Sequence, residues 1–385
     1  MRTCNVFKEK AMRRKAKMLL TAILIIAIAA IYFLFPKIKG RLTPDFCPVL
    51  SDMSIPFTQQ EDIRFFAEGW IVCGSPSRFY NWDQTERKPP FTQDDLTAEN
   101  NEINIIAHTD NYIATANNRI YNTQTVPFTL VYENQGAMIF DLKEYEDFLV
   151  LLLQEEDTTP ACPFILVKGS DFLISLDGTG NANYVSVDAY GTDLSLLTLS
   201  LDSPVPITRV FHYKNRNELY GVLSLENEFI YEIYRMENTV ILIGIKDILC
   251  YNVEGELQWS VPHESEGVFE VLPAGNELLF YFPEKSRIGE NEGNVLVIDK
   301  EGYYMKTFPK YLSELNIYRS GYAAAEFRQN LVFLDKKGEM IKKQRLQHPV
   351  SWMKFSPVNP EYLYVRTESN VLQLYTSDKQ EEDSE

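Results

Sequence analysis

One phrase recurs along this chain: a short apolar run, then Asp or Asn, two residues, a Gly, then another apolar run. It reads FLISLDGTG over 172–180, ILCYNVEG over 248–255, VLVIDKEG over 295–302 and LVFLDKKG over 331–338. Asp and Asn open such turns because their side-chain oxygen takes backbone N–H groups two residues on, and Gly supplies positive φ. Weaker forms stand at Tyr80-Asn81-Trp82-Asp83, Ile120-Tyr121-Asn122 and Tyr213-Lys214-Asn215, and after Leu372–Thr376. Marked at 83, 122, 177, 215, 252, 299, 335 and 376, the turns fall 36 to 41 residues apart, except for intervals of 55 and 47. The two long intervals contain the polar insertions Gln154–Pro163 and Glu284–Gly293. A period of about 40–45 residues is that of a four-stranded sheet stacked radially with its copies.

The rest of the pattern agrees. From about residue 59 to 377, runs of five to eight residues rich in Ile, Val, Tyr, Phe and Leu alternate with polar breaks, as in Trp70–Cys73, Phe148–Leu153 and Tyr362–Val365. No stretch there keeps a 3.6-residue apolar spacing, so the expectation is an all-β β-propeller. Its fifth repeat reads as strands 229–234, 239–245, 248–251 and 257–261, its sixth as 268–272, 278–282, 295–298 and 304–308. The last repeat offers only three, at 352–355, 362–366 and 371–375. Residues near Met53–Thr58 are expected to supply the fourth, closing the ring and covering an open sheet edge. The count is eight blades; seven stays open because the first two repeats and the fourth are degenerate.

This pattern resembles the quinoprotein-like and WD-repeat-like β-propellers. More narrowly, it resembles a family of Gram-positive bacterial proteins with a basic N-terminus, one membrane helix and an external propeller. Quinoprotein blades carry a Trp four residues after the turn Gly. Gly255 and Trp259 match that spacing, whereas Lys306 and Lys342 occupy the equivalent positions elsewhere, so the resemblance implies no quinone and no other cofactor.

Residues 18–35 (MLLTAILIIAIAAIYFLF) carry no charge and as a helix would span about 27 Å, enough for a bilayer core. Seven Lys and Arg precede this segment, against Glu9 alone, and Lys37, Lys39 and Arg41 follow it. The positive-inside rule then keeps the N-terminus in the cytoplasm and exports the rest. Bulky residues at Ile31–Pro36, where a signal peptidase needs small ones, favour an uncleaved anchor over a signal peptide. The expected layout is a cytoplasmic tail at 1–17, an anchor at 18–36, a linker with the closing strand at 37–58, the propeller at 59–377 and an acidic tail at 378–385.

Of 37 Lys and Arg, ten lie in residues 1–41, with one of the 54 acids. The exported part is therefore strongly acidic, which disfavours a nucleic-acid partner. Cys47, Cys73, Cys162 and Cys250 are widely spaced without a CxxC pair, so no metal or redox motif is present and their pairing stays open.

Histidine is scarce. His108, His212, His263 and His348 stand alone, without metal-ligand spacing. His108 ends an expected innermost strand and could face the central channel, although a solvated or backbone-bonded ring is the preferred reading. Asp177–Asn183 has side-chain oxygens at alternate positions but lacks the closing Glu of a calcium loop, and it reads as a turn. No nucleophile elbow, phosphate loop or dinucleotide fingerprint occurs, so no catalytic residue is assigned. Among the aromatics, Tyr80, Trp82, Tyr303, Tyr304 and Trp352 are the candidate binding surface, weighed against core packing, which is preferred.

Three roles remain. One is a non-enzymatic, membrane-tethered binding or scaffold module facing a protein or cell-envelope partner. The second is an extracytoplasmic hydrolase or lyase working in the channel, and the third a sensor signalling through residues 1–17. Convergent His, Asp, Glu or Arg side chains at one channel mouth would favour chemistry there, and an aliphatic lining would favour the binder.

Overall fold

The computed structural model describes residues 46–48, 55–56 and most of 61–377. The expected anchor, the acidic tail, the loop at 177–182 and most of the two polar insertions lie outside the described residues. Among the described residues no helix is long and apolar enough to cross a membrane.

The described strands form eight antiparallel sheets, seven of them built from consecutive segments alone. We number them as blades 1 (62–87), 2 (105–133), 3 (137–175), 4 (183–226), 5 (230–262), 6 (270–306), 7 (312–345) and 8 (350–376). The first strand of one blade touches the first strand of the next, as Ala137–Glu144 does Ile105–His108 and Asn183–Tyr190 does Ile230–Arg235. First strands therefore line the central axis and fourth strands form the rim.

Apolar packing confirms both the number and the closure. Buried residues fall into eight clusters, and each cluster straddles one seam between neighbouring blades. The seam that shuts the ring joins Tyr364, Leu372 and Leu374 of blade 8 to Ile63, Phe65, Trp70 and Tyr80 of blade 1. A four-stranded sheet cannot hide both faces alone, so each face is buried only by its neighbour.

Blade 8 completes itself with chain from the other end. Its third strand, Val371–Thr376, pairs with Cys47–Pro48 and with Ile55–Pro56. Just ahead of this pairing, Phe46 is fully buried against Tyr318, Phe333 and Phe355. The Gln344 side chain accepts from the Phe46 N–H at 2.9 Å and donates to its carbonyl.

The recurring turn behaves as its chemistry requires. Asp335 Oδ1 accepts the Lys337 and Glu339 N–H groups at 2.9 and 3.0 Å, and Asn252 Oδ1 accepts that of Glu256 at 2.7 Å. Gly255 and Gly338 close these turns at φ +88° and +86°. In seven blades the marked position ends or follows the third strand. Blade 3 departs: its third strand is Cys162–Val167, its turn to the fourth strand passes through Gly169 (φ +79°), and Leu173–Ser175 of the repeated phrase forms the fourth strand itself. The phrase at 172–180 is thus displaced by one strand. The long hairpin between Phe148–Glu155 and Cys162–Val167 absorbs the extra residues of that repeat.

Candidate functional site

The innermost strands carry the charge, and β-bulges deliver it. In blades 2, 3, 4, 5, 7 and 8 the pairing of first and second strands slips by a residue or more, for instance between Ile139 and Asp141 and between Ile230 and Glu232. Each slip reverses the alternation of inward and outward side chains beyond it. In blade 3, Ala137 and Ile139 are buried before the bulge and Leu142 after it, which leaves Lys143 for the channel.

Five blades converge on a cavity of about 520 Å³ on the face that bears the turns between first and second strands. It is lined by Arg64 of blade 1, Asp110 and Asn111 of blade 2, Lys143, Glu144 and Tyr145 of blade 3, Asp188 of blade 4, and Glu232 and Tyr234 of blade 5.

These groups form three knots. In the first, Arg64 Nε donates to His108 Nδ1, the other His108 nitrogen lies 3.2 Å from Asp62 Oδ2, and Arg64 Nη1 is 3.7 Å from Asp110. Burial opposes ionisation of Asp62, yet the His108 bond, the Ile63 N–H and Arg64 hold its carboxyl below the ordinary value. In the second, Glu144 accepts from Thr109 Oγ1, Asn111 Nδ2 and Lys168 Nζ at 2.7, 3.0 and 2.9 Å. Burial again opposes its charge, and these three donors outweigh it, so the Glu144 pKa is lowered. The third holds Lys143, whose Nζ donates to Ser186 Oγ at 3.2 Å and to the Val187 carbonyl at 3.0 Å, and lies 3.7 Å from Glu232. The Ser186 hydroxyl donates in turn to Glu232.

Asp188 stands beside the third knot. Its Oδ2 accepts the Arg235 N–H at 2.6 Å. Burial pushes the carboxyl from 3.8 up to about 6, against the pull of that bond, the Ala189 N–H, Lys143 and Tyr145. Burial and nearby carboxylates also raise the Tyr145, Tyr184 and Tyr234 hydroxyls, which stay neutral donors. The Tyr145 hydroxyl stands between two acceptors, the Asp188 carboxyl and the Val187 carbonyl at 3.1 Å.

The mouth therefore offers more carboxylates than cations, ringed by hydroxyls and an amide: a place for a ligand with a positive charge and hydrogen-bonding groups. Among the described residues no group of three His, Cys, Asp or Glu is placed to hold a metal ion.

The five aromatics singled out from sequence fall into two separate groups. Tyr80 is 6% exposed and stacks on Trp70 at 4.3 Å in the seam of blades 8 and 1, where Trp82 and Trp352 also pack, half-buried. Tyr303 and Tyr304 lie on the rim strand Gly302–Lys306 of blade 6, each 40% exposed. Tyr303 leans on Trp259, with ring centroids 4.9 Å apart, and the Tyr304 hydroxyl lies 3.4 Å from Glu277 Oε1. Glu277 lines a second cavity of about 690 Å³ at the seam of blades 6 and 7. His108 does end an innermost strand, and its ring is bonded by the Arg64 and Asp62 side chains of blade 1. Arg64, Lys143, Asp188 and Glu232 carried no sequence signal, since each is a single charge in an ordinary strand.

No family model and no curated protein matches the sequence. Solved structures that align with this chain include β-propeller domains. BamB from Moraxella catarrhalis aligns over 86% of this chain and 100% of its own, at 11% identity and a TM-score of 0.46. The WD40 β-propeller domain of Doa1 aligns over 89% and 100%, at 11% identity and 0.41. The Neurospora crassa Pan2 WD40 domain aligns over 74% and 90%, at 8% and 0.43. Likeness at this level carries no argument, and both the fold and the blade number rest on the strand pairing and seams described above.

Proposed function

We propose that this chain is a single-pass membrane protein, kin to the Gram-positive family it resembles in layout, whose propeller stands outside the cell. There it binds a protein or cell-envelope partner by seating a cationic group in the channel mouth. The observation that carries this reading is the surplus of acid over base around the cavity, with Asp188 and Glu232 opposite Lys143, and Asp62 and Asp110 opposite Arg64. The charge of residues 1–41 and the uncharged run at 18–35 support the tether.

Calorimetric titration of the full-length chain with lysine-containing peptides tests the site. Glu232→Gln is expected to weaken binding about tenfold, near 1.4 kcal/mol; unchanged affinity would refute it. Protease treatment of right-side-out vesicles tests the tether, since a propeller protected from external protease would place it inside.

A second reading draws on Asp188. A carboxyl poised near pH 6 within a cavity is suited to giving or taking a proton, as a hydrolase or lyase needs. Binding that survives Asp188→Asn while turnover of the bound partner is lost would favour the enzyme.

A further inference from the structure

Between blades 4 and 5 lies a guanidinium without a carboxylate. Arg235 ends the innermost strand of blade 5 and is 6% exposed. Its Nη2 makes two long contacts, to the Tyr220 hydroxyl and the Glu237 carbonyl, both at 3.5 Å. Its Nε and Nη1 are buried and have no protein acceptor. Asp188 takes the backbone N–H of Arg235, and among the described residues no ion pair reaches the arginine side chain.

A second buried group lies close by, its ring centroid 5.9 Å from that of the Tyr220 whose hydroxyl Arg235 Nη2 contacts. His212, on the third strand of blade 4, is 1% exposed and holds Ser195 Oγ with Nδ1 at 2.9 Å. Its Nε2 is buried without a partner. If Nδ1 accepts the serine hydroxyl, Nε2 carries the proton and is a third unused donor. Burial, then the charge of Arg235, pushes the His212 imidazole down to about 4, so the ring is neutral and the site holds one positive charge.

The sheet also leaves space here. Gly221 is the register partner of His212, and a bulge beside it turns Tyr220 toward the imidazole, with ring centroids 5.9 Å apart. A methyl at Gly221 would sit 3.7 Å from His212 Cδ2 and 3.7 Å from the Val253 carbonyl oxygen, in ordinary contact and without a clash. Lys214 Nζ is engaged by the Tyr220 ring, 4.6 Å from its centre. A buried arginine cannot shed its proton, so a charge of this kind calls for a counter-charge.

We infer that the seam of blades 4 and 5 holds a small monovalent anion of halide size, bound by Arg235 Nε and Nη1 and by His212 Nε2 in the space beside Gly221. The single positive charge sets the valence, and the one-methyl space sets the size. This site is separate from the cation-seating mouth and stands or falls independently of it.

Bromide is the probe. Crystals of the full-length chain soaked in bromide are expected to show an anomalous peak between the Arg235 guanidinium and His212. A water there, with no anomalous signal, would overturn the inference. In solution, unfolding of the full-length chain is compared in chloride and in gluconate at equal ionic strength. A site with a Kd of about 10 mM lowers the unfolding constant about tenfold at 100 mM chloride. Arg235→Met is expected to abolish this chloride-specific gain. Should that variant fail to fold, Gly221→Ala, which fills the space, is expected to shrink the same gain. Equal stability of the native chain in the two salts would sink the proposal.

Discussion

Asp188 offers a sharp test, because its charge is costly to the fold while the proposed ligand needs it. Its pKa stands at about 6 in the folded chain against an ordinary 3.8. At 1.36 kcal/mol per unit, the ionised carboxylate costs the native state about 3 kcal/mol above pH 6. The sign follows from proton counting. Between pH 4 and 6 the folded chain holds a proton that the unfolded chain has released, so stability falls as pH rises through that window and is level above it. Asparagine does not titrate, and its carbonyl can still accept the Arg235 N–H. Asp188→Asn is thus expected to match the native chain near pH 4 and exceed it by up to about 3 kcal/mol at pH 7. Glu314, raised to about 7 by burial and by Glu270, slopes the same way. It is common to both proteins and cancels in their difference. Urea unfolding followed by tryptophan fluorescence at pH 4, 5, 6 and 7 measures it. A variant less stable than the native chain at pH 7, or a difference that stays flat with pH, would refute the reasoning.

The same protonation is expected to weaken binding of a cationic peptide as pH drops from 7 to 5, a change that calorimetry at the two values can measure and that Asp188→Asn should remove. Phe46→Ala deletes a fully buried ring from the seam of blades 7 and 8 and is expected to cost about 3–5 kcal/mol, read from the same unfolding curves. Gly321→Ala would put a methyl 2.1 Å from the Leu334 carbonyl oxygen, so a loss of about 3 kcal/mol or failure to fold is expected, visible in soluble yield and thermal midpoint. Tyr303→Ala, at a 40% exposed rim position, is expected to leave peptide binding at the channel mouth unchanged.

The blades were legible because their turns are local chemistry. Asp299, Asp335 and Asn252 bind N–H groups within four residues, so a short window of sequence holds the whole interaction. The phrase misled in blade 3, where Leu173–Ser175 has the same apolar character on a fourth strand as its counterparts have on third strands. The channel mouth was not legible for two reasons. Its residues come from five blades about 40 residues apart, and the bulges at Phe140, Tyr231 and their equivalents break the two-residue rhythm that would assign a face. Nothing in the order Phe140-Asp141-Leu142-Lys143 tells which side chain reaches the axis. Tyr80 shows the converse: an aromatic beside a turn suggests a contact surface, but the stacked Trp70 and the wall of blade 8 enclose it.

The latch at Phe46 bears on how the molecule takes load. Tension transmitted along the preceding chain would arrive at the rim of blade 8, at the place where the wheel is shut. Phe46 meets it first, gripped by three aromatic rings and by both ends of the Gln344 amide. A pull must extract that plug before it can peel Cys47–Pro48 from Thr376 and Tyr375. The ring is thereby shielded from being unzipped by a pull on the chain ahead of Phe46.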